Sequence, residues 1–317
     1  MAGALLLAFL TAVVGIGFAN QVALHAGWWR YEPADGVLLG VPLDLWIGWA
    51  VLWGPVPLLL RERVPVPVPV WAIIALFGWG DVLVMPQLGM LVDLGPNWLY
   101  GELVALVVAA VPAVLVGRWT VRRERLAGRA LIQLYAFTGL VMWLMPSAVM
   151  AAGDGSWHAL YAGPGWRTAG LAAAMGVVAV PALLAMYEFA RRGGGTPYPW
   201  DPPVRLVTTG PYAYVANPMQ ISAITLLGLI AIGTRSWSMA LATLGATAFS
   251  VALAEPHERA ELAERLGPEW QRYDSRVRSW RIGRRPCRVG SLRAGNNWSW
   301  SAGERDGVGW RRTPGRS

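Results

Sequence analysis

The 317 residues include 27 basic and 19 acidic side chains, only 15% of the chain, against 55% hydrophobic residues and a mean hydropathy of +0.40. A soluble domain of this length carries about a quarter charged residues, so the deficit excludes an ordinary water-soluble globule and points to a bilayer. The net charge of +8 does not indicate nucleic acid. The Arg residues sit between apolar stretches and in the C-terminal tail, where the positive-inside rule accounts for them.

Apolar stretches able to cross roughly 30 Å of hydrocarbon run at 2–20, 43–60, 70–90, 99–117, 129–151 and 169–190, and a closely coupled pair follows at 219–233 and 236–254. The first lacks the basic leader and small-residue cleavage site of a signal peptide, so it reads as a true span. With the N-terminus inside, eight spans place Arg61 to Arg63, Arg118 to Arg129, Arg191 to Pro218 and everything after Ala254 on the cytoplasmic side. Of the 27 Arg, only Arg30, Arg167 and Arg235 then fall outside. That asymmetry is what the orientation rule requires, and an odd number of spans would scramble it. The expected fold is all-α: a polytopic transmembrane helical bundle of about eight spans with both termini cytoplasmic. A cytoplasmic amphipathic helix follows the last span.

Three regions differ in character. Residues 1–125 form an N-terminal transmembrane region rich in Trp and Pro, with a Val-Pro run at 64–70 and acidic residues at Asp81 and Asp93. Asp81 lies either at membrane depth, where an ionisable group is costly and functional, or nearer the end of its span. Residues 126–281 form a second membrane unit. Residues 282–317 hold Arg, Gly, Ser and Trp without periodicity and read as a disordered tail, drawn to anionic lipid head groups at the cytoplasmic face. The single Cys287 excludes an intramolecular disulfide, and His25, His158 and His257 show no metal-ligand spacing, so no metal site is expected.

Chemistry concentrates in two stretches. Arg205-Leu-Val-Thr-Thr-Gly-Pro-Tyr-Ala-Tyr-Val-Ala-Asn-Pro-Met-Gln220 carries turn signals at Gly210-Pro211 and Asn217-Pro218. Pro218 suits the first turn of the next helix, with Asn217 as its cap. Then Ala254-Glu-Pro-His-Glu-Arg-Ala-Glu-Leu-Ala-Glu-Arg-Leu-Gly-Pro-Glu-Trp-Gln-Arg-Tyr273 leaves the last span as an amphipathic helix with Pro256 in its first turn. Glu255 and Glu258 share a face of it. They either meet a ligand or, as acids in a first turn, favour the helix dipole.

Together the two stretches resemble the isoprenylcysteine carboxyl methyltransferase family and related membrane phospholipid methyltransferases, over roughly residues 170–281. That family pairs a Leu-x-Thr-x-Gly-Pro-Tyr-x-Tyr-x-x-(His/Asn)-Pro-x-Tyr segment with a helical hairpin and a Glu-rich helix. The helix runs on through Leu-x-x-x-(Phe/Leu)-Gly-x-x-(Tyr/Trp)-x-x-Tyr, here Leu262 to Tyr273 with Val277 and Trp280 following. The resemblance implies an S-adenosylmethionine pocket closed between 206–219 and 255–273. Its walls would be Gly210, Pro211, Tyr212, Tyr214, Asn217, Pro218 and Met219, and Glu258, with Glu255 second, would hold the charged end of the cofactor. A buried ammonium needs such a carboxylate, and the faces of Tyr212 or Tyr214 would attract the sulfonium.

Arg205 and Asn217 are the expected catalytic pair, Arg205 positioning an anionic acceptor unless it is simply a positive-inside charge. The chain departs from the pattern at Ala213 and Ala216, where Arg is common, at Gln220, where an aromatic residue is usual, and at Glu258-Arg259 in place of paired glutamates. These departures bear on how the acceptor is held. The acceptor class implied is lipophilic: a prenylated or lipid-like carboxylate, amine or thiol. Two other readings stand beside this one: a non-catalytic scaffold or transporter component, and a lipid isomerase or cyclase run by the N-terminal half.

Overall fold

The computed structural model describes residues 1–63, 69–196, 203–287, 298–301 and 309–312. Among the described residues, seven helical stretches are long and apolar enough to cross a membrane: Ala2–Ala26, Leu43–Arg61, Val70–Leu88, Trp98–Arg122, Leu126–Ala152, Gly165–Gly193 and Trp237–Leu266. An eighth, Pro218–Thr234, is apolar but only 17 residues long, about 26 Å at the α-helical rise. The chain is an all-α integral membrane protein, and its helices fall on the stretches expected from hydropathy. Most of the Val-Pro run, 64–68, lies outside the described residues.

Within these stretches the α-helices are α1 (Ala2–Ala26), α2 (Leu43–Trp53), α3 (Pro55–Arg63), α4 (Val70–Val84), α5 (Trp98–Ala105), α6 (Val111–Arg122), α7 (Leu126–Gly139), α8 (Met145–Ala152), α9 (Gly165–Glu188), α10 (Pro218–Thr234), α11 (Trp237–Phe249), α12 (Glu255–Leu266) and α13 (Pro268–Asp274). Four wider π turns interrupt or end them, at Leu106–Ala110, Leu140–Leu144, Phe189–Gly193 and Ser250–Ala254. Three are followed two residues later by a proline: Pro112, Pro146 and Pro256. Proline lacks an N–H, and its ring collides with the carbonyl four residues back. In each case that carbonyl belongs to the π turn, whose wider path makes room for the ring. The helix from α11 to α12 therefore runs on without a break, and the charged segment is an extension of the last span.

The N-terminal unit is built around α1. Leu7, Ala8, Ala12, Ala19 and Ala23 are buried along it, against α2, α5, α6 and α7. Small residues let the backbones close up, as is usual where lipid supplies no hydrophobic drive between helices. At Gly15 a Cβ would stand 2.3 Å from the Val108 carbonyl oxygen, so only glycine fits.

At one end of the bundle the connections are tied together. Strand β1 (Trp29–Tyr31) pairs antiparallel with β4 (Val92–Leu94), and a two-residue pair, β2 (Val37–Leu38) and β3 (Val41–Pro42), lies between them in sequence. Asp154 knots the loop after α8 to the start of α11. Its carboxylate accepts from the Trp237 amide at 2.9 Å, the Ser238 amide at 2.7 Å and the Ser238 hydroxyl, while the Ser236 hydroxyl donates to its main-chain oxygen at 2.7 Å. Those hydrogen bonds, from the Ser238 side chain first, hold its carboxyl far below the ordinary carboxylate range.

Of the tail expected to be disordered, the structure describes 282–287 and a short hairpin, β5 (Trp298–Ser301) with β6 (Gly309–Arg312). The remainder lies outside the described residues.

Candidate functional site

A cavity of about 700 Å³ opens where α9, α10 and the α11–α12 helix converge. That size falls in the range of small-molecule and cofactor sites. Its walls come from the two stretches singled out in the sequence. From the first come Arg205, Leu206, Val207, Tyr212, Asn217, Pro218, Met219 and Gln220, and from the second His257, Glu258, Glu261, Trp270 and Tyr273. Phe189, Ala223, Phe249 and Leu253 close the side nearest the apolar helices, so the cavity has an apolar end and a polar one. Two of the π turns, Phe189–Gly193 and Ser250–Ala254, contribute to this wall, a placement such turns favour at functional sites.

The first stretch is folded by local chemistry. Gly193 accepts hydrogen bonds from the amides of Val204 at 2.9 Å and Arg205 at 3.1 Å, returning the chain to the end of α9. The Thr209 hydroxyl donates to Glu188 Oε2 at 2.5 Å, and Arg192 pairs with the same oxygen at 2.8 Å. Gly210 adopts φ +59°, and a Cβ there would stand 2.8 Å from Glu188 Cγ. Gly210 thus packs the loop against α9 in a backbone conformation that side chains resist. The tight turn Gly210–Ala213 follows, and buries Tyr212.

From the other side, the chain after α13 straps this loop down. Ala216 donates to the Arg278 carbonyl at 3.1 Å, Gly283 to the Tyr214 carbonyl at 2.8 Å, and Cys287 to the Ala213 carbonyl at 2.8 Å. The buried Tyr273 hydroxyl donates to the Tyr212 carbonyl at 2.7 Å. Burial pushes the hydroxyls of both Tyr212 and Tyr273 above the ordinary phenol range, so both stay protonated donors.

The structure distributes the expected site residues unevenly. Arg205, Tyr212, Asn217, Pro218, Met219 and Glu258 line the cavity. Gly210, Pro211, Tyr214 and Glu255 do not. Gly210 and Pro211 shape the turn behind the wall, and Tyr214 faces the opposite side of the loop, beside the strap. Glu255 is engaged elsewhere: its Oε2 accepts from the Trp280 indole and its Oε1 pairs with Arg259 at 3.2 Å. Arg259 reaches on to Asp274, so the basic residue that replaces a second glutamate braces α12 against α13. Asn217 occupies the cap position of α10, yet its side chain makes no capping bond; its carboxamide is left to the cavity.

Sequence reasoning missed several wall residues. Gln220, noted only as a departure, donates from Nε2 to Glu258 Oε2 at 3.3 Å and so links the two stretches. Its Oε1 and the Tyr212 hydroxyl oxygen are both buried, and neither has a hydrogen-bond partner among the described residues. Buried polar atoms are nearly always paired, so two orphans on one cavity mark where a ligand would supply the partner.

The N-terminal half contains a second polar cluster. Asp81 is buried at the end of α4 and accepts from the Trp49 indole at 3.1 Å; Glu102 of α5 is buried beside it. Asn20 Oδ1 accepts from Trp29 at 3.0 Å and Tyr31 at 2.5 Å. The space among them is about 30 Å³.

Comparison with protein-family models, curated proteins and solved structures gives no match to this chain.

Proposed function

We propose that the protein transfers a methyl group from S-adenosylmethionine to a lipophilic acceptor, in the cavity between the 205–220 loop and α12–α13. The observation that carries this reading is the pair of unpartnered buried atoms, Tyr212 Oη and Gln220 Oε1, on a 700 Å³ cavity that is polar at one end and apolar at the other. The cofactor supplies an electrophilic methyl group on a sulfonium. Glu258 would pair with its ammonium, Gln220 would orient that carboxylate, and the Tyr212 ring would face the sulfonium. Phe189, Phe249 and Leu253 would take the acceptor's hydrocarbon, and Arg205 at the rim would hold an anionic acceptor group. Displacement at a sulfonium needs alignment and exclusion of water more than proton transfer, so this reading requires no nucleophile–base pair. The Arg distribution supports a cytoplasmic location for this site and both termini.

The test is S-adenosylmethionine binding by the full chain in detergent, with Glu258→Gln and Asn217→Ala alongside. Saturable binding weakened at least about tenfold by Glu258→Gln, or about 1.4 kcal/mol, is expected. Absence of binding by the unsubstituted protein would reject the reading in favour of a non-catalytic scaffold. Labelled cofactor supplied to membranes then separates lipid from prenylated-protein acceptors by the fraction that takes up label.

A second reading, a lipid isomerase or cyclase run by the N-terminal half, draws on Asp81 and on Glu102, whose buried Oε2 has no hydrogen-bond partner among the described residues. The space there is only about 30 Å³, room for about one or two waters, which favours methyl transfer as the first reading.

A further inference from the structure

The strap after α13 and the outer face of the 210–217 loop enclose a second concavity, about 580 Å³, lined by Arg276, Arg278, Arg281, Arg284, Arg285 and Tyr214. No carboxylate among the described residues lines it. Among the described residues, none of the five guanidinium groups has an ion pair or a side-chain hydrogen bond; the nearest acid in sequence, Asp274, is taken by Arg259. Three main-chain hydrogen bonds shape the concavity, from Ala216 to Arg278, Gly283 to Tyr214 and Cys287 to Ala213, so the charges are displayed on a defined surface rather than a loose chain. Five like charges around one space repel one another until a counter-charge enters. Guanidinium forks match phosphate oxygens two at a time.

We infer that this concavity binds a phosphate group carrying two negative charges, presented either by a soluble phosphate or by the head group of an anionic lipid. The site stands on its own residues and is independent of methyl transfer. Its occupant would fasten the strap across the loop whose other face walls the large cavity.

Cys287, the only cysteine in the chain, lines the same concavity and is partly exposed, so its alkylation by N-ethylmaleimide reports occupancy directly. The full chain would be placed in phosphatidylcholine nanodiscs, and the alkylation rate measured with inorganic phosphate, with pyrophosphate, and with chloride at matched ionic strength. A parallel set of discs would contain phosphatidic acid. Protection of about fivefold or more in at least one arm is expected, and it should be lost in Arg281→Gln/Arg284→Gln, whose side chains are exposed and carry no fold contact. Protection by the soluble anions identifies a free phosphate site; protection only in phosphatidic acid discs identifies a lipid head group. Equal rates in every arm, or protection that survives the double substitution, would overturn the inference. S-adenosylmethionine binding measured on the same samples keeps this outcome separate from the methyl-transfer reading.

Discussion

The Tyr273 hydroxyl donates a hydrogen bond to the Tyr212 carbonyl oxygen at 2.7 Å, in a buried setting, joining the last helix to the loop that walls the large cavity. A second side-chain bond across the same wall runs from Gln220 of α10 to Glu258 of α12. Replacing Tyr273 with Phe keeps the ring and its contact with Trp270, 5.7 Å between centroids, but leaves the carbonyl unsatisfied. A loss of about 1–3 kcal/mol is expected, read as a lower thermal midpoint in detergent. A midpoint equal to the parent's would show that the bond holds nothing.

The neighbouring hydroxyl behaves differently. Tyr212 Oη has no partner among the described residues, so Tyr212→Phe removes a polar atom that gains nothing in the free protein. Stability should stay within about 0.5 kcal/mol of the parent or rise. Cofactor affinity should fall about fivefold, the worth of roughly 1 kcal/mol. Titration calorimetry and a melting curve on one preparation separate the two effects; unchanged affinity would remove Tyr212 from the binding wall.

Gly210 tests the loop itself. Ala at φ +59° costs about 1–2 kcal/mol for the left-handed backbone, and its Cβ would also press on Glu188 Cγ. Because Thr209 and Arg192 anchor the same carboxylate, the strain should propagate into the loop. The expected result is weaker cofactor binding together with a lower midpoint, whereas Gly228→Ala, with open space at its Cβ, should change neither.

Asp154 sets an acid limit on the opposite end of the molecule. Hydrogen bonds from Ser238 and the Trp237 amide depress its carboxyl in the folded state. The sign follows: the stabilisation is fully present above the ordinary carboxylate pKa of about 3.9 and fades as pH falls below it toward the depressed folded value. Melting midpoints measured from pH 6 to pH 2.5 should drop more steeply for the parent than for Asp154→Asn. Parallel curves would mean that the loop knot carries no charge-dependent stability.

Much of the fold was legible because membrane spans are written in composition: α1, α4 and α9 are predominantly apolar, and no partner is needed to recognise them. The site was legible in part. Asn217 and Pro218 carried turn signals, but the family resemblance was what nominated them and Glu258 as site residues, and all three do face one cavity. Gly210 and Tyr214 came from the same motif but lie away from the cavity, because the tight turn at Gly210–Ala213, with about three residues per turn, sends successive residues to different sides. Glu255 ranked second to Glu258 on the resemblance alone; its partner Trp280 becomes visible only once the chain after α13 folds back. Gln220 carried no motif signal, since its role depends on a carboxylate 38 residues later.

The π turn at Ser250–Ala254 has an effect beyond accommodating Pro256. An α-helix advances about 100° per residue, and a π turn admits one residue more than an α turn would. The face of α12 is thereby rotated relative to α11 by about that amount. Glu258 consequently does not continue the exposed stripe of Leu241 and Leu244, and turns toward the Tyr212 loop instead. Helical phase, set by one widened turn, decides whether this carboxylate meets lipid or the cavity.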